Sequence, residues 1–117
     1  MTDTNPVLTT RLPAPVRAYL AAHAAGQAEA AIRAFAPDAV VVDDGRSFRG
    51  TQEVLDFLRA AGSQFDYTTE LVGAERIDDA HWVAVQRLEG SFPGGVVELR
   101  FRFTVAGDLI RELVIAP

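Results

Sequence analysis

From residue 67 to the C-terminus the chain alternates between apolar and polar residues. The pattern is sharpest where Val97, Leu99, Phe101, Phe103 and Val105 are interleaved with Glu98, Arg100, Arg102 and Thr104. A period of two puts five apolar side chains on one face of a strand and the charges on the other. Four such runs follow one another: YTTELVGAERI, HWVAVQRLEGSF, VVELRFRFTV and LIRELVIA. Asp78-Asp79, Pro93-Gly94-Gly95 and Gly107-Asp108 separate them, and turn residues between alternating runs predict a meander of antiparallel hairpins.

The first half has a different period. Pro13 and Pro15 can open a helix, because a missing N–H is harmless in the first turn. Val16, Tyr19, Leu20, His23 and Ala24 then share one side, and Gly26 stops the run. Ala28, Ile32 and Phe35 predict a short second helix that Pro37 ends. Thr51 can cap a third helix, with Glu53 in its first turn and Val54, Leu58, Ala61 and Phe65 as its apolar face. Between the second and third helices, Ala39 to Asp43 reads as a strand, Asp44-Gly45 as a turn, and Arg46-Ser47-Phe48 as a short return strand. Helices gathered ahead of an antiparallel sheet predict an α+β fold. Three helices would cover one face of a strongly bent sheet, mixed at its start, leaving a cone open at one end. Residues 1–12 are expected to form a flexible arm, and 13–117 a single domain.

Composition narrows the function classes. Of 117 residues 49% are hydrophobic, enough for a core and too many for a disordered chain. The net charge of −5 and the absence of a basic run argue against a nucleic-acid partner. All 11 basic residues are Arg, and no Cys is present, which excludes disulfides, thiolate catalysis and Cys-ligated zinc. The N-terminus shows no signal-peptide pattern, and no apolar run approaches the ~18–20 residues of a membrane helix. No membrane partner and a cytoplasmic location are therefore expected.

Candidate chemistry starts where three valines, Val40 to Val42, run into Asp43. Asp43 continues the alternation of Ala39 and Val41, so an inward face would carry its carboxylate to the edge of an apolar cavity. Such a site raises a carboxyl pKa and makes it a better base. Tyr19, on the inward face of the first helix, could donate a hydrogen bond to a developing oxyanion. The alternative is that Asp43 merely begins the turn and Tyr19 is a core residue with a satisfied hydroxyl. His23, one turn beyond Tyr19, could act as acid or base, border the pocket mouth, or be structural. Glu112 is open: it faces the cavity if Ile110 and Val114 do, and solvent otherwise. Trp82, Leu99, Phe101 and Phe103 would supply apolar walls. His81 follows a turn, and two distant His residues make a poor metal case, so neither metal nor cofactor is expected.

AYLAAHAAGQ, FAPDAVVVDDG and FRGTQEVLDFL together resemble the nuclear transport factor 2-like superfamily, in particular its SnoaL-like and ketosteroid isomerase-like branches, over about residues 14–117. The resemblance implies a cone-shaped α+β fold, an apolar small-molecule ligand, and a homodimer formed through the outer sheet face. It implies Asp43 as general base and Tyr19 as oxyanion donor, without a cofactor. It also exposes a departure. Where ketosteroid isomerases carry a protonated Asp as second donor, just before an aromatic-basic-aromatic run, this chain has Leu99 before RFRF. Leu99 cannot donate, which argues against steroid isomerisation. Two readings remain: an isomerase or cyclase moving a proton next to a carbonyl, or a non-catalytic binding or scaffold domain whose cavity is filled by side chains or whose Asp43 is tied up by Arg46, Arg49 or Arg111. An epoxide hydrolase-like site would need an Asp–Arg–Asp set, for which no clear candidates stand out.

Overall fold

The computed structural model describes residues 5–63, 67–91 and 93–117, with the backbone alone for 61–63. The expected Ala61 and Phe65 contacts of the third helix lie outside what it describes. Helices α1 (Ala14–Ala24), α2 (Ala28–Ala31) and α3 (Gly50–Ser63) pack on one mixed sheet. Its strands are β1 (Asn5–Val7), β2 (Phe35–Asp43), β3 (Arg46–Arg49), β4 (Tyr67–Arg76), β5 (His81–Gly90), β6 (Val96–Ala106) and β7 (Leu109–Ala116). They lie in the order β1-β4-β5-β6-β7-β2-β3. Among the described residues only β2 and β7 pair in parallel; the other pairs are antiparallel. The α+β architecture read from the periodicity is the one observed.

Register fixes the faces. Phe101 pairs with Ala84 and Ile115, Phe103 with Trp82 and Leu113, and Leu99 with Gln86. These side chains share the inner face beneath the helices, with Phe101 and Phe103 fully buried against α1. Arg100 and Arg102 share the outer face with Val85, Val83, Val114 and Ala116. Two bulges interrupt the ladder: Val72 is the extra residue in β4 and Arg111 the extra residue in β7. Bulges bend and twist a strand, and here they sharpen the curvature that wraps the sheet around α1.

The segment 5–12 corrects the expectation of a loose arm. Asn5–Val7 pairs with Arg76, Glu75 and Ala74 at the sheet edge, Thr9–Arg11 forms a 3-10 turn, and Leu12 is buried in the core. Covering the β4 edge removes a row of unpaired backbone groups. β2 also begins earlier than expected, at Phe35, because residues 36–39 form an irregular stretch that absorbs Pro37. At the start of α3, the Glu53 carboxylate accepts the Arg49 N–H at 2.9 Å, so the cap is made by Glu53 rather than Thr51.

Candidate functional site

Asp44 and Gly45 both adopt positive φ, +52° and +76°. That is the two-residue hairpin turn Asp-Gly favours, and its twist matches the flanking strands. Asp43 is therefore the last ladder residue of β2, opposite Arg46 and beside Ile115. Ile115 is itself paired with Phe101, so Asp43 stands on the inner face. The turn belongs to Asp44 and Gly45; Asp43 is delivered inward, half-buried.

α1 brings two groups to the same side. Tyr19 is 0% exposed, edge-on to Phe35 (5.4 Å between ring centres) and to Phe103 (5.7 Å), with His23 stacked on it at 5.6 Å. His23 also faces Phe101 at 6.3 Å and Tyr67 at 6.2 Å. The Tyr67 hydroxyl lies 3.5 Å from His23 Nε2. Tyr67, at the start of β4, is the site residue that sequence reasoning missed. Its alternation does place it on the inner face, but nothing in the sequence says how far the sheet curls to bring it over His23.

Burial dominates the electrostatics of these groups. Burial, and secondarily the Asp44 charge, push the Asp43 carboxyl above the usual carboxylate range, while Arg46 pulls it back in part. Burial pushes the Tyr19 phenol far up, aided by Tyr67 and Asp43. Tyr67 is pushed up by burial and by Asp43. Burial lowers His23, which keeps the ring neutral at pH 7. The Tyr19 hydroxyl, though buried, has no hydrogen-bond partner.

None of the three candidate arginines ties up Asp43. Arg111 pairs with Asp38 at 2.9 Å, and Arg46 lies over the Phe48 ring, 5.4 Å from its centre. Among the described residues no ion pair to Asp43 or from Arg49 is present. Asp43 lines a cleft of about 450 Å³ at the rim of the sheet, with Leu99 and Ile115 of the inner face, Val42 and Val114 of the outer face, and Asp44, Gly45, Ala116 and Pro117; Tyr19, His23 and Tyr67 do not border it. A cleft of about 260 Å³ beside His23 is walled instead by α2 and by the Glu29–Arg59 ion pair, and Asp43 does not border it.

Two of the expected pocket residues stand elsewhere. Glu112 is exposed on the outer face, opposite Thr104. The Arg111 bulge lets Ile110 and Leu113 both point inward, so the simple alternation that could have turned Glu112 into the cavity does not hold. Trp82 is on the inner face, but one rung beyond Ala84, next to the Asp78–Asp79 turn. There its indole N–H donates to the Asp79 carbonyl at 3.1 Å and Arg76 lies over its ring. Leu99, Phe101 and Phe103 do face inward near the cluster. Among the described residues no three His, Asp or Glu side chains gather as a metal-binding group, and no helix is long and apolar enough to cross a membrane.

The profile of the SnoaL-like domain matches residues 16–113, and the chain belongs to that family. It is similar in structure to a protein from Sinorhizobium meliloti provisionally described as a polyketide cyclase (30% identity, TM-score 0.86, 94% of this chain and 100% of that one). It shares its fold with a Δ5-3-ketosteroid isomerase from Mycobacterium sp. (19%, 0.71, 89% and 90%). The same holds for a Mycobacterium tuberculosis protein in complex with estradiol-17β-hemisuccinate (17%, 0.73, 88% and 90%). No curated protein matches the chain in sequence.

Proposed function

We propose that this chain binds an apolar carbonyl compound and catalyses proton transfer at the adjacent carbon, as an isomerase or cyclase. Asp43 takes the proton, the electron pair moves onto the carbonyl oxygen, and the Tyr19 hydroxyl donates to the oxyanion. Asp43 then returns the proton at another carbon, or the enolate carbon bonds to a second carbonyl carbon of the same molecule, whose C=O π pair moves onto its oxygen and takes the proton back from Asp43. The observation that carries this reading is the Tyr19 hydroxyl, buried on the inner side of α1 and without a partner. A buried donor left unpaired is costly, and an arriving oxyanion would relieve that cost. A base with a raised pKa works closer to neutral pH. Tyr67, whose ionisation is also opposed by Asp43, supplies a second hydroxyl where Leu99 supplies none. The likeness to the Sinorhizobium meliloti protein supports the cyclase side of the reading.

The test is hydrogen–deuterium exchange. Cyclic and aromatic ketones are incubated with the protein in D₂O, and loss of the α-proton signal is followed by NMR. The reading expects catalysed exchange that Asp43→Asn abolishes. Binding without exchange would favour the second reading, a non-catalytic ligand-binding domain, for which Leu99 in the Asp43 cleft is the supporting observation.

The outer face supports a homodimer in this reading. That face carries Val85, Val114 and the Arg100–Glu75 ion pair at 2.8 Å. A cytoplasmic site of action belongs to the same reading.

A further inference from the structure

Gln86 is a buried polar residue with an unsatisfied donor outside the Tyr19 cluster. It is 2% exposed, on the inner face of β5 between Leu71 and Leu99, and its Nε2 has no partner. An amide can be buried without loss only when its hydrogens are taken. Gln86 also lines a cleft of about 340 Å³, within the ~300–1,000 Å³ range typical of small-molecule sites. The other walls are Leu20, Ala21, Ala24 and Arg17 of α1, Leu71 of β4, and the 3-10 turn at Thr9 and Thr10. Leu20 follows Tyr19 by one residue, roughly 100° round the helix axis, so this cleft opens on a different flank of α1 from the Asp43 cluster. The two clefts share no lining residue.

We propose that this cleft is a second small-molecule site, for an uncharged apolar compound whose carbonyl oxygen accepts the Gln86 amide hydrogen. The aliphatic walls take the body of the ligand. Among the described residues of the lining, Arg17 is the one charged group that could compensate an anion. The one cation of the lining, Arg17, is exposed, with its Nε already donating to the Leu12 carbonyl at 2.9 Å. A carboxylate would therefore be buried unpaired, whereas a ketone, ester or amide oxygen would satisfy the orphan N–H. This goes beyond the proton-transfer reading and does not depend on it.

The test uses cyclohexanone titrated into ¹⁵N,¹³C-labelled full-length protein. The probes are the Gln86 side-chain amide signals and the Leu71 methyls. The expected result is a saturable shift of both, retained in an Asp43→Asn/Tyr19→Phe double variant. Gln86→Leu should weaken that binding by roughly tenfold, the worth of one buried hydrogen bond, and Ala24→Trp should block it. Leu71 shifts that persist unchanged in Gln86→Leu would overturn the assignment of the amide. No saturable shift at Gln86, or shifts confined to residues around Asp43, would overturn the site itself. The wild-type titration alone decides this, so a variant that fails to fold leaves the answer intact. Loss of α-proton exchange in Asp43→Asn with the Gln86 shifts intact would separate the two sites.

Discussion

Replacing Tyr19 by Phe should make the protein more stable and the site worse. The ring contacts to Phe35, Phe103 and His23 are made by carbon and survive the substitution. What leaves is a hydroxyl that is fully buried and unpartnered. Burying such a group without a hydrogen bond costs about 1–3 kcal/mol in mutational data. Unfolding entropy is on the order of 2.1 cal/mol/K per residue, hence ~250 cal/mol/K for 117 residues, so each 1 kcal/mol moves Tm by about 4 °C. Tyr19→Phe should raise Tm by at least about 4 °C, measured by calorimetry under reversible, two-state conditions. Over the same substitution, ketone α-proton exchange should fall on the order of 10²–10³, the usual loss for one oxyanion donor. Opposite signs on stability and activity mark a group held for function. A Tm that falls by several degrees would mean that the hydroxyl has a structural partner, and the argument from its burial would be wrong.

Other substitutions test separate links. Asp43→Asn should stabilise the protein at pH 7. Because the folded pKa is raised, ionisation of Asp43 costs folding free energy as pH rises through the folded pKa, and the gain should vanish below the unfolded value of 3.8; urea melts across pH 3–7 measure it. For His23, whose folded pKa is lowered, the wild type should lose stability as pH falls below 6.5 towards the folded value, and His23→Phe should flatten that limb of the profile. Gly45→Ala puts a side chain on a φ of +76° and should cost about 1 kcal/mol, or about 4 °C in Tm; it should also slow exchange, because the turn aims Asp43. Tyr67→Phe should weaken binding of a phenolate oxyanion mimic several-fold with little change in Tm, read by calorimetric titration.

The parts of this molecule that obey simple periodicity were legible in the sequence. Phe101, Phe103 and Leu99 fall on the inner face because β6 runs on unbroken alternation, and Asp43 falls there because Asp44-Gly45 is a turn with a known twist. The illegible parts are where the period breaks. Arg111 is a bulge that no local residue preference announces, and it sends Glu112 outward. Pairing of Asn5–Val7 with β4 is a long-range contact in a polar stretch with no alternation to signal it. Tyr67 could be assigned a face but not a neighbour, since its approach to His23 depends on the accumulated curvature of the whole sheet. Gln86 sits at a core position of β5, where alternation calls for an apolar residue, and only burial shows that its amide is left unpaired.

The most direct measurement is the titration of Asp43 by carboxyl-carbon NMR, alone and with a phenol bound as an oxyanion mimic. The account predicts a midpoint above the ordinary value of 3.8 that rises further when the phenol occupies the site, because the bound ring displaces water from the carboxylate and disfavours its charged form. A midpoint at or below 3.8, unmoved by the phenol, would contradict it and leave Asp43 as the solvated end of a strand.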